Sequence, residues 1–488
     1  MKRKIAIIGS GFSALSAATY LAKDGNEVTV YEKNATLGGR ARQLKKQGFT
    51  FDMGPSWYWM PDVFESFFND FGKKTSDFYN LERLDPGYEV YFGENEKIAI
   101  GDSLEKIEDV FEKEEKGSGK KLKHFIQKAK DNYEVAVKDL VYRPGISPLE
   151  LITPKTIKKF NYFLSNIKRE VCKDFRSPKL RQILQFPVLF LGAKPENTPA
   201  FYNFMNFADF GLGTWHPEKG MYSIVNGMVA LAESLGVQFY TDTPIEKILV
   251  NEQNKAIGIK TNKETIHADI VLSGADYHHS ETLLDSKHRM YSEAYWDKKV
   301  FAPSSLLFYI GIDKKVKNVT HHTLFFDVDF DEHARMIYDQ PAWPDNPLFY
   351  ANFPSITDPT MAPKNQEACF LLIPLAPGIE DTQSLRDQQL EIVLSRLEKL
   401  TQQSIKNHVL FCESFCVNDF ISEYNSYKGN AYGMANTLLQ TAFLRPKLKS
   451  KKVENLYFTG QLTVPGPGVP PALISGKLVA GLINSQKL

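Results

Sequence analysis

The apolar positions near the start of the chain switch between the strand and the helix period. Ile5-Ala6-Ile7-Ile8 is a short continuous run of the kind that fills a buried parallel strand. Leu15, Ala18, Tyr20, Leu21 and Ala22 then recur at near-helical spacing. Gly25 closes that helix as a left-handed cap, and Val28-Thr29-Val30-Tyr31 supplies a second strand. Phe49 to Asp52 alternates apolar and polar before a Gly54-Pro55 turn and the aromatic cluster Trp57-Tyr58-Trp59. Val63-Phe64, Phe67-Phe68 and Phe71 predict an amphipathic helix ended by Gly72. Tyr88 to Phe92 and Ile98 to Ile100 predict a hairpin turning at Gly93 to Glu96. From Ser103 to about Leu191 the pattern is helical, charged and aromatic. A helix from Val225 to Leu235 capped by Gly236, a strand from Val237 to Tyr240 and a meander from Ile245 to Ile266 follow, then a buried strand and small-residue turn from Ala268 to Asp276. Strand-like runs at Ser305 to Ile312 and Cys369 to Leu375 precede a long helix from about Ser384 to Leu400. The last strand, Asn455 to Gly460, is followed by Gly466-Pro467-Gly468-Val469-Pro470-Pro471 and a closing helix.

Between the first strand and the first helix stands Gly9-Ser10-Gly11-Phe12-Ser13-Ala14. Gly9 permits the tight turn, Gly11 lets backbone approach a pyrophosphate, and the small Ala14 lets helix pack on strand. Glu32 ends the second strand about 20 residues past the glycines, where an acidic side chain accepts from a ribose diol. Strand, turn, helix and strand thus frame a dinucleotide site. Beyond it, Leu37-Gly38-Gly39-Arg40-Ala41-Arg42 adds two glycines and two guanidinium groups, whose planar forks suit a diphosphate. The elements together predict an α/β chain with a discontinuous Rossmann-like domain from 1–80, 215–290 and 410–488. An antiparallel-sheet domain is expected from 81–104 and 291–409, and a helical insert from 105–214.

Composition changes this picture little. The net charge of +1, from 59 basic and 58 acidic residues in 488, supplies no global field for nucleic acid or acidic partners. Four cysteines form no CxxC pair, which favours a reducing compartment; the Cys412/Cys416 spacing suits one helix face, but buried thiols are the favoured reading. Met1 to Lys4 runs straight into the first strand, so no signal peptide is expected. No run approaches the 18 or so apolar residues of a spanning helix. One local bias stands out. Between Leu151 and Arg181 nine basic residues face only Glu170 and Asp174, a net +7, interleaved with Ile157, Phe160, Phe163, Leu164 and Ile167. Such a helix either lies in a membrane interface or packs as a solvated helix on its own domain. The doublets His278-His279 and His321-His322 are not metal sites by spacing, since adjacent side chains diverge in helix and strand, and no metal is expected. Arg143, before Pro144-Gly145 at the edge of the insert, is the candidate polar group of a substrate channel, against the alternative of a surface arginine.

The Gly38-Gly39-Arg40 segment resembles the extension of large FAD-dependent oxidases and desaturases, and FAD is the expected cofactor. With both ends read, the whole chain resembles the bacterial phytoene desaturase family of carotenoid biosynthesis, which includes hydroxycarotenoid 3,4-desaturases. Phe51-Asp52-Met53-Gly54-Pro55, Gly220-Met221, Ser273-Gly274-Ala275-Asp276, His321-His322, Asn430-Ala431-Tyr432-Gly433, Gln440, Phe443-Leu444-Arg445-Pro446 and the Asn455 to Gly476 block carry the likeness. Val464 stands where many members have His, and Asp419 where many have Pro. The resemblance implies cofactor contacts from Gly9, Gly11, Phe12, Ser13 and Ala14, then Glu32, Lys33, Gly39 and Arg40. Gly54, Pro55, Ser56 and Ile245 continue the set, and Gly460, Gln461, Gly468, Val469 and Pro470 close it. It further implies removal of two hydrogens from a polyene, hydride passing to flavin N5, and a quinone or oxygen as electron acceptor. The expected setting is cytoplasmic and peripherally membrane-associated. A non-redox carotenoid isomerase, a flavin amine oxidase and a cofactor-free prenyl-binding protein remain as alternatives, the last opposed by the intact flavin motif.

Overall fold

The first apolar run is the centre of a parallel sheet. In the computed structural model, which describes residues 2–154, 156 and 165–485, Lys4–Ile8 pairs on one side with Glu27–Tyr31 and on the other with Ile270–Ser273. Gln238–Tyr240 and Leu456–Phe458 add the two edges, every pairing parallel. Strands far apart in sequence thus share one sheet, because a parallel neighbour is reached only by a crossover and helices cover both faces. The first helix, Phe12–Lys23, lies against the closing helix, Val469–Asn484. Their backbones touch: a Cβ at Gly476 would fall 2.4 Å from the carbonyl oxygen of Ser13, and Ser16 Oγ donates to the carbonyl of Leu473 at 2.7 Å.

A second sheet has seven strands, in the order Val409–Phe415, Ser304–Ile312, Glu367–Leu375, Phe349–Asn352, His322–Phe325, Tyr88–Gly93 and Glu96–Ile100. It is antiparallel throughout except where His322–Phe325 runs parallel to Tyr88–Gly93. The hairpin Tyr88 to Ile100 enters from far upstream, so the direction of its inner strand, Tyr88–Gly93, against His322–Phe325 is set by the path of the chain and not by a turn. Val409–Phe415 also belongs to this sheet, opposite Leu307 to Ile312, although the sequence pattern grouped 410 onward with the first domain. Its alternation suits either sheet, and only the partner decides. Cys412 sits in that strand while Cys416 precedes the helix Val417–Tyr424, so the two share no helix face. Asp419 explains its own departure from the family pattern. Its carboxylate accepts from Cys416 N–H at 2.8 Å, closing a capping box, and pairs with Arg386 at 2.8 Å.

The helical stretch has an aromatic centre: Phe111 meets Phe175 and Phe210 edge to face, at 5.8 and 6.1 Å. Lys155, Lys158 and Lys159, with Ile157, Phe160, Phe163 and Leu164, lie outside the described residues. Of the remaining basic residues, Lys168 pairs with Asp331 at 3.3 Å, Lys173 pairs with Glu170, and Lys179 reaches Glu96 and Glu114. Ile167 is fully buried. No helix among the described residues is long and apolar enough to cross a membrane.

Candidate functional site

The glycine-rich turn is held from beneath by the residue that ends the second strand. Glu32, 4% exposed, accepts on Oε2 from Ser10 N–H at 3.0 Å and Ser10 Oγ at 2.7 Å, and on Oε1 from Asn34 N–H at 3.0 Å. Gly9, at φ +84°, donates to the carbonyl of Tyr31 at 2.8 Å. The helix that follows begins at Gly11 with no side-chain cap, which leaves its first-turn N–H groups and positive dipole end to a bound anion. Two further glycines keep the space clear. A Cβ at Gly39 would lie 3.2 Å from Gly11 Cα, and one at Gly54 would lie 2.4 Å from the Arg40 carbonyl oxygen.

Arg40 is partly buried beside this turn. Burial pulls its pKa down while the nearby Asp276 carboxylate opposes that effect. Its Nη2 donates to Ser426 Oγ at 3.0 Å and the Asn430 carbonyl at 3.3 Å, and its Nε has no partner. Arg40 and Arg42 both stack on the Tyr424 ring, at 5.3 and 5.1 Å. An uncapped helix start, a guanidinium whose buried Nε has no partner and a carboxylate at the end of the second strand form the kind of donor and acceptor set that a dinucleotide requires. The residues present therefore fit FAD.

One cavity of about 740 Å³ takes in every expected cofactor contact except Ala14. Ala14 faces away and packs on Gly274, where a Cβ would come within 2.7 Å of its own. Lys33 lines the cavity while its Nζ donates to the Ser422 carbonyl at 2.5 Å, tying the second strand to the helix Val417–Tyr424. Arg143 does not line it. That guanidinium pairs with Asp139 at 2.8 Å and donates to the Glu150 carbonyl, so it serves the loop that follows it and not a channel. At the closing block Gly460 has φ +120° and Gly468 φ +113°, conformations that L side chains resist. The helix start there is poorer in donors than the motif alone suggests, because Pro470 and Pro471 occupy its first turn and carry no N–H.

The cavity continues into an apolar arm that the sequence pattern does not mark. Phe186 comes from the helical stretch, Leu324 from the seven-stranded sheet, Phe326 from just past the end of that strand, and Phe330, Ala334 and Ile337 from the helix Phe330–Tyr338. Strand alternation shows that such residues are buried, but a cavity wall and a packed core have the same pattern. His333, also in the wall, donates from Nε2 to the Pro374 carbonyl at 2.9 Å and accepts at Nδ1 from Leu348 N–H at 3.0 Å. Burial brings its pKa down to about 4, so it stands neutral. His321 and His322 are buried in the sheet, where desolvation drives both pKa values well below the usual imidazole range. Among the described residues no group of three or more His, Cys, Asp or Glu is placed to hold a metal ion.

Fold and site together define a flavoprotein oxidoreductase. The model of the flavin containing amine oxidoreductases matches residues 12–484, and the chain belongs to that family as an FAD-dependent enzyme of mixed α/β fold. Among its relatives, the carotenoid 3,4-desaturase of Haloarcula japonica is 40% identical over 483 residues, covering 98% of this chain and 97% of that protein. A 4,4'-diapophytoene desaturase (4,4'-diaponeurosporene-forming) of Staphylococcus haemolyticus is 31% identical, covering 98% and 97% respectively. Of solved structures, an oxidoreductase from Methanosarcina mazei superposes with a TM-score of 0.64 at 18% identity, covering 99% of this chain and 100% of that one. That last likeness is one of fold.

Proposed function

We propose that this enzyme is a carotenoid desaturase that forms a carbon–carbon double bond near the end of a long acyclic polyene, in the manner of a 3,4-desaturase. The observation that carries this reading is the single cavity joining the glycine turn to an apolar arm walled by Phe186, Leu324, Phe326 and Phe330. Bound FAD supplies the two-electron oxidant that takes up hydride. The chain's own residues supply the rest. The arm desolvates and aligns the polyene, and the neutral His333 leaves no charge in its wall. Labour divides accordingly, with cofactor held by the parallel-sheet unit and substrate by the seven-stranded sheet. A quinone or oxygen is the proposed terminal electron acceptor.

The test is anaerobic mixing of the flavin-loaded enzyme with an acyclic carotene, followed by pigment analysis. Flavin bleaching with a product two hydrogens lighter is expected. An isomerised product of unchanged mass would replace desaturation by isomerisation, and bleaching by a diamine alone would make the enzyme an amine oxidase.

The membrane is the proposed source of so insoluble a substrate. Ile146, Leu149 and Ile152 are 65, 71 and 61% exposed, and Leu439 is 76% exposed. The two segments adjoin, since a Cβ at Gly145 would meet Val464 and Ala442, and Lys447 Nζ donates to the Gly145 carbonyl at 2.8 Å. Each such side chain buried in lipid contributes about 1.5–3 kcal/mol. Leu149→Ser with Leu439→Ser should therefore release the enzyme from neutral and anionic vesicles alike. Glu in place of Lys158, Lys159, Lys168 and Arg169 should weaken binding to anionic vesicles only. Sedimentation with vesicles at two salt concentrations separates the contributions, and unchanged binding by both variants would move the docking face elsewhere.

A further inference from the structure

Arg445, from the Phe443-Leu444-Arg445-Pro446 segment, is a charge that the fold buries with no counter-charge beside it. The residue is 2% exposed. Its Nη1 donates to the Gln461 carbonyl at 3.1 Å, its Nη2 donates to the Met434 carbonyl at 2.8 Å and to Asn436 Oδ1, and its Nε has no partner. All three acceptors are neutral. Among the described residues, the ionisable groups that bear on it are the protonated phenols of Tyr202 and Tyr295 and a like charge, Lys299. Burial brings the Arg445 pKa down to about 10, so the guanidinium keeps its charge at neutral pH.

The closing block is laid over this charge. Gly460, Gln461 and Leu462 line the cavity, as does the run from Pro467 to Ala472, and Arg445 reaches them from behind through the Gln461 carbonyl. Gly466, at φ +131°, permits the close approach. A Cβ there would lie 2.9 Å from Asn436 Oδ1 and 3.1 Å from Arg445 Nη2, so only a glycine lets loop backbone settle on the guanidinium. A buried cation ordinarily takes a carboxylate partner, since an unpaired charge in the interior is costly. Here an amide, Asn436, stands in the partner's place.

We propose that Arg445 is the fixed counter-charge of the reduced flavin, acting through the closing block that it supports. The inference rests on an FAD whose ring meets the segment from Gly460 to Pro470. A hydride carries one proton and two electrons, so its arrival leaves a single negative charge on a ring that was neutral. A cation held behind the wall lowers the energy of that state and not of the oxidised one, which raises the reduction potential of the bound flavin. Neutral acceptors leave the field of Arg445 uncompensated until the ring is reduced, whereas a carboxylate at Asn436 would cancel it beforehand. Because Arg445 touches the block and not the cavity, it is a positioning residue whose charge, as well as its hydrogen bonds, bears on the flavin.

The experiment titrates the flavin-loaded enzyme anaerobically against a reference dye, in wild type, Arg445→Met, Arg445→Lys and Asn436→Asp, with flavin content measured on each. Asn436→Asp keeps the guanidinium and its hydrogen bond while supplying the missing carboxylate, which the adjacent cation holds ionised. At a fixed dye potential the ratio of reduced to oxidised flavin should fall about tenfold or more in Arg445→Met and in Asn436→Asp, a shift of about 30 mV for a two-electron couple. Arg445→Lys, which keeps the charge, should stay within about threefold of wild type. Lower flavin content with an unmoved potential in the retained flavin would make Arg445 a structural arginine and overturn the proposal. Should Arg445→Met fail to fold, Asn436→Asp decides alone, and a wild-type potential in that variant overturns the proposal equally. Potentials that shift as stated in an enzyme that oxidises no carotene would uphold Arg445 and retract the desaturase reading.

Discussion

Asp52 illustrates how much a single side chain can be asked to do at a site's edge. Its carboxylate accepts from Met221 N–H at 2.7 Å, Tyr222 N–H at 3.2 Å and Gln43 Nε2 at 3.2 Å, joining the strand Phe49–Asp52 to the start of the helix Tyr222–Ser234. Burial pushes its pKa up to about 6 against those donors. The native state therefore binds more protons than the unfolded chain between the ordinary carboxyl range and about 6. The stability that Asp52 contributes is present below that window and declines as pH rises through it. Asp52→Asn removes the titration, so urea midpoints of wild type should fall relative to the variant from pH 4.5 to 7.5. A constant offset across that range would show that Asp52 does not titrate there. Glu32 presents the opposite case. Glu32→Ala strands Ser10 N–H in the interior, a loss of about 1–3 kcal/mol, and removes the proposed ribose acceptor. Flavin content after purification should drop, and full retention would remove Glu32 from the cofactor site. The place of Glu32 was legible in the sequence because strand, turn and helix fix it locally. The role of Asp52 was not legible there, because the backbone N–H groups it holds, those of Met221 and Tyr222, are about 170 residues away.

At the scale of elements, what local pattern can specify is period and termination. The helices Pro61–Asn69 and Gln383–Thr401 and the hairpin Tyr88 to Ile100 fall close to where apolar spacing and turn residues place them. Pairing partners are another matter, and Val409–Phe415 went to the other sheet for that reason. The closing helix shows a finer limit. Gly468 was legible as a required glycine, and its φ of +113° bears that requirement, yet the two prolines after it remove donors as well as fix the turn. This helix start therefore acts on a flavin chiefly through its dipole. Gly468→Val forces a branched side chain into that backbone conformation, with its Cβ about 3.2 Å from Pro471 Cδ. Flavin reduction by carotene should slow about tenfold or more, with flavin content reduced less, since the diphosphate contacts belong to the N-terminal turn. Stopped-flow reduction alongside flavin absorbance checks both. A variant with full flavin and wild-type reduction would place this loop away from the chemistry.

Across the whole molecule the two sheets meet around one continuous space, and only half of that arrangement has a sequence signature. The dinucleotide arm announces itself through glycines, an acid and an arginine, residue types that suit a phosphate or a sugar. The apolar arm has no such mark, because a wall that faces a polyene and a core that faces another side chain select the same residues. Of the two readings of Arg143, a channel group or a surface arginine, its contacts favour the second, since it braces the loop that presents Ile146 and Leu149. The separation of the two arms can be tested at Ala334, on the helix Phe330–Tyr338, which lines the apolar arm. Ala334→Phe places a ring into cavity space rather than into a packed core, so its effect on folding should stay within about 1.5 kcal/mol. Flavin content should match wild type, since the glycine turn and Arg40 lie in the other arm. Turnover of a full-length carotene should fall by more than tenfold, with KM rising, and a substrate truncated at one end should lose less. Thermal unfolding, flavin absorbance and turnover measured together distinguish the outcomes. Equal loss of flavin and activity would mean that the arm assigned to the polyene serves the cofactor instead.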